Sequence, residues 1–448
     1  MRTTGRRSFV IYIFLVLFVT AACILLFQFV TRGSKWAMQP FNGHLSLIEL
    51  GTIYDRDGNV LAETVDGKRT YSESEAARIA MLHTVGDNKN NVVTSVQSAL
   101  HGKLRGYNLL TGVNNVLQDK GKDVTLTVSR DVSIAAYNAL GNQKGAVIVY
   151  NYQNGNILTN VSTPSFDPQN VPGDIAENPA YEGAYLNRNF SVVYPPGSTF
   201  KIVTQAAAID AFPDWSERTY RCDGSIKIGE NNVTCMGVHR TIDAKTAMKT
   251  SCNIYYALLA NDIGAKNLEK KAVQFGFNSE IAFDNITCRK SSINISGANE
   301  NQLAWAGIGQ YTTLANPCHM LTLMGAIASG GNPATPRLIE SISLTDIFSN
   351  QLPSVGAEEA AKLRTLMRNN VQNYYGDNLF PAGMEVCAKS GTAEVGDEKK
   401  PTCWLVGFSS NHSTPYAFVV VVEEGESGTG TAGQVASKVM FAVSEYVK

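Results

Sequence analysis

The stretch YPPGSTFKIVT, residues 194–204, decides how the rest of the chain is read. Pro195, Pro196 and Gly197 stop the segment before them, because proline cannot continue a backbone ladder and glycine permits a sharp turn. FKIVTQAAAIDAF (200–212) then reads as a buried helix, with Ser198 near its N-terminus and Lys201 three residues further on. Positions three apart share a helix face, so the lysine amine comes close to the serine hydroxyl. Serine is a poor nucleophile at its own pKa and needs an adjacent base; a lysine serves if burial keeps part of it neutral. The helix start adds backbone N–H groups and a positive dipole end that can hold a developing oxyanion. Alone, a Ser-x-x-Lys tetrapeptide arises by chance roughly once or twice in a chain this long. It then reads as readily as a capping serine followed by a solvated lysine.

Two further motifs change that weighing. Ser251-Cys252-Asn253 lies in KTSCNIYYALLA, at the mouth of another apolar helix, and Lys389-Ser390-Gly391-Thr392 lies in VCAKSGTAEV, on a strand. Separately they read as a helix cap and an edge-strand lysine. In this order, on a helix start, a loop-to-helix junction and a strand followed by a hairpin, they form the three-motif set of penicillin-recognising serine transferases and hydrolases. The chain resembles the class B penicillin-binding proteins, most closely the shorter PbpA-type members. GTIYDRDGNVLAE (51–63) resembles their membrane-proximal signature, and LNRNFSVVYPPGSTFK (186–201) the run into the nucleophile. SCNIYYALLA (251–260) resembles the second motif with its helix, AWAGIGQYTTLANPCHMLTLMGAIASGG (304–331) a Gly-Gln segment, and AKSGTAEVGDEKKPTCWLVGF (388–408) the third motif with its strand pair. The likeness is thin between about Thr70 and Lys122. Three departures are visible: Ser390 where many relatives have threonine, Tyr311 where many have a glycine after Gly-Gln, which puts that loop's conformation in question, and Arg240 after His239 where glycine is common.

The resemblance implies an α+β transpeptidase domain, an antiparallel sheet flanked by helices, and acyl transfer in two steps. Ser198 would attack the carbonyl between the last two D-alanines of a peptidoglycan stem peptide while Lys201 takes its proton. Ser251 and Asn253 would relay a proton to the leaving amine and hold the substrate backbone. Lys389, with Ser390, Gly391 and Thr392, would bind the terminal carboxylate, and the N–H groups of Ser198 and Thr392 would form the oxyanion hole. An amine from a neighbouring stem peptide completes the cross-link, and β-lactam antibiotics acylate the same serine. The family also implies a membrane-embedded peptidoglycan polymerase of the shape, elongation, division and sporulation type as partner. Three alternatives share parts of this pattern: a β-lactamase or β-lactam receptor, a D,D-carboxypeptidase that passes the acyl group to water, and a non-catalytic division scaffold.

The N-terminus sets the expected compartment. Arg2, Arg6 and Arg7 precede an uncharged apolar run, Phe9 to Val30, which as a helix spans roughly 33 Å, the thickness of a bilayer core. The run exceeds the apolar region of a cleaved signal and lacks a small-residue cleavage site. The expectation is a cytoplasmic N-terminus (1–8), a single transmembrane anchor (9–30), a membrane-proximal pedestal module (31–140) and a serine transpeptidase domain (141–448) outside the cell membrane. Roughly 110 residues between anchor and catalytic domain are too few for a glycosyltransferase module.

Composition excludes other classes. With 448 residues, 44% hydrophobic, the chain can bury a large core. Its net charge of -1 gives no field that would draw it to nucleic acid. Of eight cysteines, seven lie beyond the anchor, an odd count. Cys222 and Cys235 bracket a turn-rich segment and form either a disulfide or a pair of reduced thiols. No C-x-x-C or H-E-x-x-H spacing occurs, so neither metal nor other cofactor is expected. GAVIVYNYQNGNILTNVS (145–162) reads as a hairpin around a tight type I′ Asn154-Gly155 turn. Glycine-rich EEGESGTGTAG (423–433) lacks a phosphate-loop ending and reads as a solvated hairpin exit.

Overall fold

The computed structural model describes residues 12–27, 49–108, 113–114, 121–340, 352–396 and 400–447. Its centre is one five-stranded antiparallel sheet. The strands are β1 (Gly145–Asn151), β2 (Ile157–Thr163), β3 (Val386–Ala393), β4 (Thr402–Ser409) and β5 (Tyr416–Val422), in spatial order β3-β4-β5-β1-β2. YAFVVVV is apolar almost without alternation, and such a strand needs a cover on both faces. Phe418, Val420 and Val422 point to one core with Val132, Ala136 and Leu140 of helix α1 (Arg130–Leu140) and with Val435, Val439 and Val443 of the C-terminal helix (Gly433–Tyr446). Ala417, Val419 and Val421 point to a second core shared with the apolar helix Pro317–Ser329. VCAKSGTAEV, CWLVGFSS and YAFVVVVEEG read from their sequence as three successive strands and GQVASKVMFAVSEYVK as an amphipathic helix, and all four elements form at those places.

The helix Pro317–Ser329 approaches the sheet closely because residue 325 is glycine. A Cβ there would lie 1.6 Å from the Tyr150 hydroxyl oxygen, and that buried hydroxyl has no hydrogen-bond partner among the described residues. Three readings need correction. The β1–β2 hairpin is closed by five residues, not two: Gly155 is at φ +83° but Asn154 is not in the left-handed region that a type I′ turn requires of both. The stretch after Tyr71, which reads from its sequence as a less regular polar run to about Lys122, contains a helix, Glu75–Val85, capped by the Ser74 side chain and buried through Ala77, Ala80, Met81 and Leu82. Its neighbours are non-local, so local periodicity was weak. Residues 423–433 are not a solvated exit, since Gly425 and Gly428 are buried.

The segment expected from sequence to form the pedestal module contains a four-stranded sheet of Ile53–Tyr54, Val60–Val65, Lys68–Tyr71 and Val124–Thr125. Helix Glu75–Val85 fastens this module to the main sheet: Thr84 Oγ1 donates to Asn160 O at 2.8 Å, and Arg78 pairs with Asp167 at 2.8 Å. Helix α1 lies on the main sheet although it precedes residue 141. Residues 12–27 are helical. Among the described residues no helix is long and apolar enough to cross a membrane; the expected cytoplasmic segment and both ends of the expected anchor, 9–11 and 28–30, lie outside the described residues.

Overpacking at residue 325 gives a direct test of the helix-to-sheet contact. Gly325→Ala should lower stability by about 1–3 kcal/mol, read by chemical denaturation of the full chain in detergent. Adding Tyr150→Phe should recover part of that loss, because it removes the oxygen the methyl group meets.

Candidate active site

The Pro-Pro-Gly corner leads into a single 3-10 turn, Gly197–Phe200, that continues without a break into helix α2 (Lys201–Ala211). Ser198 is half-buried on this turn, and Lys201, one turn on, is fully buried. The corner is held from outside: Trp404 Nε1 donates to Pro195 O at 3.0 Å, and Tyr194 and Arg188 both bond Glu423 Oε1, at 2.7 and 2.8 Å. Gly197 is at φ +51° and its N–H donates to Gly309 O at 2.9 Å. A Cβ on Gly309 would lie 2.0 Å from Gly197 O, which is why glycine is required at 309. Tyr311, the departure in that loop, stands exposed at φ +63°, so the chain keeps the left-handed geometry a glycine adopts freely and carries it with a tyrosine.

The second motif bridges two helices. Ser251 ends helix Ala244–Thr250 in the left-handed region at φ +54°, and Cys252 caps helix α3 (Asn253–Ile263). This sharp turn aims three oxygens at one amine. Lys201 Nζ donates to Ser251 O at 2.7 Å, to Asn253 Oδ1 at 2.7 Å and to Ser251 Oγ at 3.2 Å. On the far side of the same hydroxyl, Lys389 Nζ donates to Ser251 Oγ at 2.9 Å and to Ser390 O at 2.8 Å. Burial pulls the Lys201 amine down to about 7. Burial, and then the neighbouring Lys201 charge, pull Lys389 well below the usual lysine range. A neutral Lys201 has two N–H bonds, enough for Ser251 O and Asn253 Oδ1, and one lone pair left for a proton. The arrangement therefore supports a relay Lys389–Ser251–Lys201 in which one proton is shared through a hydroxyl.

Strand β3 carries the third motif along the border of the sheet and against the turn Gly197–Phe200. Contact this close requires Gly391, where a Cβ would lie 2.8 Å from Pro196 O and 2.9 Å from Thr199 Cγ2. The Ser390 N–H points away from β4, donating to Tyr375 Oη at 3.0 Å. By the alternation of an antiparallel ladder, the Thr392 N–H faces the same way, toward the nucleophile turn. Thr392 is exposed, and its Oγ1 accepts from Gly428 N–H at 3.1 Å. The residues expected from sequence to form the site are thus brought together: Lys201, Ser251, Asn253, Lys389 and Ser390 by direct hydrogen bonds, Gly391 and Thr392 by the strand that borders the Ser198 turn.

Sequence reasoning missed two contributors. Tyr375, on a π-helical turn Val371–Tyr375, bonds both the Ser390 N–H and Ser390 Oγ, each at 3.0 Å; no local motif marks it. The second is a cluster the sequence reading set aside when it found no metal-ligand spacing. Cys222, Cys235, His239 and Cys252 bring their ligand atoms within 4.8 Å of one another. Cys222 and Cys235 are free thiols and not a disulfide. The signal was present as C-x12-C-x3-H-x12-C, but the spacing is longer than the short ligand pairs the reading looked for.

A model described as the penicillin binding protein transpeptidase domain matches residues 145–441. The peptidoglycan D,D-transpeptidase PbpA of Mycobacterium tuberculosis is 29% identical over 73% of this chain and 72% of its own length. That of Mycolicibacterium smegmatis is 26% identical over 98% of this chain and 97% of its own. The solved structure of M. tuberculosis penicillin-binding protein A as its penicillin G acyl-enzyme superposes with a TM-score of 0.73 at 25% identity, covering 89% of this chain and 99% of that one.

Two outcomes follow from the site. Below pH 7 Lys201 is an ammonium without a lone pair, so acylation of Ser198 by a penicillin should rise with pH through about 7 and then level off, in stopped-time labelling. Tyr375→Phe leaves the Ser390 N–H without its acceptor and should slow that labelling about tenfold, equivalent to about 1.4 kcal/mol.

Proposed function

The chain belongs to the penicillin-binding protein transpeptidase family, as a class B member, and we infer from its site that it cross-links peptidoglycan as a serine D,D-transpeptidase. The observation that carries the assignment of roles is the pair of buried lysines meeting at the Ser251 hydroxyl, one of them a turn away from Ser198. Ser198 Oγ attacks the carbonyl of the penultimate D-alanine as its proton passes to the Lys201 amine. The tetrahedral oxyanion falls between the N–H groups of Ser198 and Thr392; one such donor typically lowers the barrier by about 3–4 kcal/mol. Collapse expels D-alanine, whose amine takes a proton delivered through Ser251. Lys389 holds positive charge where the terminal carboxylate lies, with the Thr392 hydroxyl and a Ser390 fixed by Tyr375 beside it. The second substrate amine then attacks the ester, and the same proton path runs in reverse. A β-lactam follows the first half of this course and leaves its acyl group on Ser198.

The wider setting is part of the same proposal. The apolar N-terminal run anchors the chain once in the cell membrane, its arginines inside and the catalytic domain outside, where peptidoglycan is assembled. A polymerase of the shape, elongation, division and sporulation type is the partner this arrangement suits, meeting the anchor and the small membrane-proximal sheet.

Intact-mass measurement of the purified chain after exposure to penicillin G tests the assignment. A stable adduct should form and should be absent from Ser198→Ala. Rapid turnover to free hydrolysed penicillin would instead identify a β-lactamase, and an undiminished adduct on Ser198→Ala would remove Ser198 as nucleophile.

A further inference from the structure

Between helix α2 and the second motif, residues 213–243 leave the domain as two small paired units. Ser225–Ile228 pairs with Asn231–Thr234, and Tyr220–Cys222 pairs with Arg240–Ile242. The first hairpin rests on the domain through Ile228 and Val233. The turn that follows it has no such support: Met236 is fully exposed and Val238 is 63% exposed. At the base of this turn the side chains of Cys222, Cys235, His239 and Cys252 converge.

Their spacing is informative. Four ligands around a zinc ion, at about 2.3 Å for sulfur and about 2.0 Å for nitrogen, stand in a tetrahedron with sulfur–sulfur edges of about 3.8 Å and sulfur–nitrogen edges of about 3.5 Å. Cys235 Sγ lies 3.8 Å from Cys252 Sγ, and His239 Nδ1 lies 3.5 Å from both Cys222 Sγ and Cys235 Sγ. A disulfide would need sulfurs about 2.05 Å apart. Backbone donors surround the sulfurs: Asn253 N–H donates to Cys235 Sγ and Tyr255 N–H to Cys252 Sγ, both at 3.4 Å.

We propose that Cys222, Cys235, His239 and Cys252 bind one Zn2+ ion as a closed, structural Cys3His site that fixes the second motif. Three thiolates and an imidazole form a soft donor set that selects zinc over magnesium or calcium. All four positions are filled by protein, so the ion has no place for a substrate or an activated water. Binding displaces the thiol protons to solvent and changes no oxidation state.

The consequence reaches the reaction through position. Cys252 is the middle residue of Ser251-Cys252-Asn253. The amide of Asn253 donates to the ligand sulfur of Cys235, and its side-chain nitrogen donates to Thr234 O at 3.0 Å. The ion thereby ties the exposed turn to the residues on which Lys201 Nζ rests, and it supports Ser251 at φ +54°, where a non-glycine residue needs its surroundings to hold it. This second part rests on the transpeptidase reading; the metal site itself does not.

The experiment measures metal and acylation separately on the full chain in detergent. Plasma mass spectrometry of protein purified without chelator should find about one zinc per chain. Cys222→Ser and His239→Ala should lose it, while Cys387→Ser, away from the cluster, should keep it. Stripping zinc with a chelator should slow penicillin labelling at least about tenfold, and Zn2+, but not Mg2+, should restore it. If the ligand variants fail to fold, Co2+ loaded into the unaltered chain should give a thiolate-to-metal charge-transfer band. The proposal is overturned by protein that contains no transition metal and shows no such band, or by a Cys222–Cys235 disulfide in the mass of the native protein. Zinc present with labelling unaffected by its removal would overturn the positioning role and leave the transpeptidase reading standing.

Discussion

Everything at this site depends on two buried amines meeting at one hydroxyl. Lys201 and Lys389 reach Ser251 Oγ at 3.2 and 2.9 Å, so their nitrogens stand at most about 6 Å apart. Two unit charges at that separation repel by about 3 kcal/mol at an effective dielectric of about 20, which is about two pKa units. Both lysines are also fully buried, and burial opposes any charge at all. The pair therefore settles on a single shared charge, and that is the condition a relay needs: one amine ready to accept while the other attracts an anion. The rest of the fold keeps those groups from moving apart. Trp404 holds the corner before Ser198, Gly309 and Gly391 let three backbone segments touch, and Tyr375 fixes the strand from behind.

Much of this was legible in the sequence because it is local. The Ser198–Lys201 spacing is set by helix geometry, and the run of valines in YAFVVVVEEG marks a strand by its composition. Ser251-Cys252-Asn253 sits at a helix junction that a capping residue marks. What escaped was encoded across distance. Tyr375 is tied to a strand fifteen residues away by geometry alone. Helix Glu75–Val85 has its apolar residues spread around it, because it is clasped between the small module and the main sheet, and so it lacks a clean stripe. Gly428 was read as part of a solvated exit, yet its N–H caps Thr392 and a Cβ on it would lie 2.4 Å from Gly391 O.

The loop around Tyr311 and the cysteine cluster make one point from opposite sides. At Tyr311 a tyrosine carries a left-handed backbone conformation, at a strain of about 1–2 kcal/mol. At Cys252 the variable middle position of a motif became part of an assembly outside it. A motif therefore conveys which atoms must meet. It says little about what holds them, and in this chain the holding comes from residues outside the motif, as Tyr375, fifteen positions before Ser390, shows.

Strand β3 ends the sheet, and that has a consequence for what can be processed. Along much of it the outward groups are already taken, Val386 O by Arg368, Ala388 O by Asn370 and the Ser390 N–H by Tyr375, which leaves the stretch around Thr392 for an extended peptide to lie against. Such a guest puts only its C-terminal end into the site, at Lys389 and Thr392. It can be a short branch on a long polymer, touched at one point while the remainder passes by on either side. An enclosed pocket would admit only what fits within it. A site laid along a border lets the enzyme work on a meshwork larger than itself, joining two polymers without having to surround either.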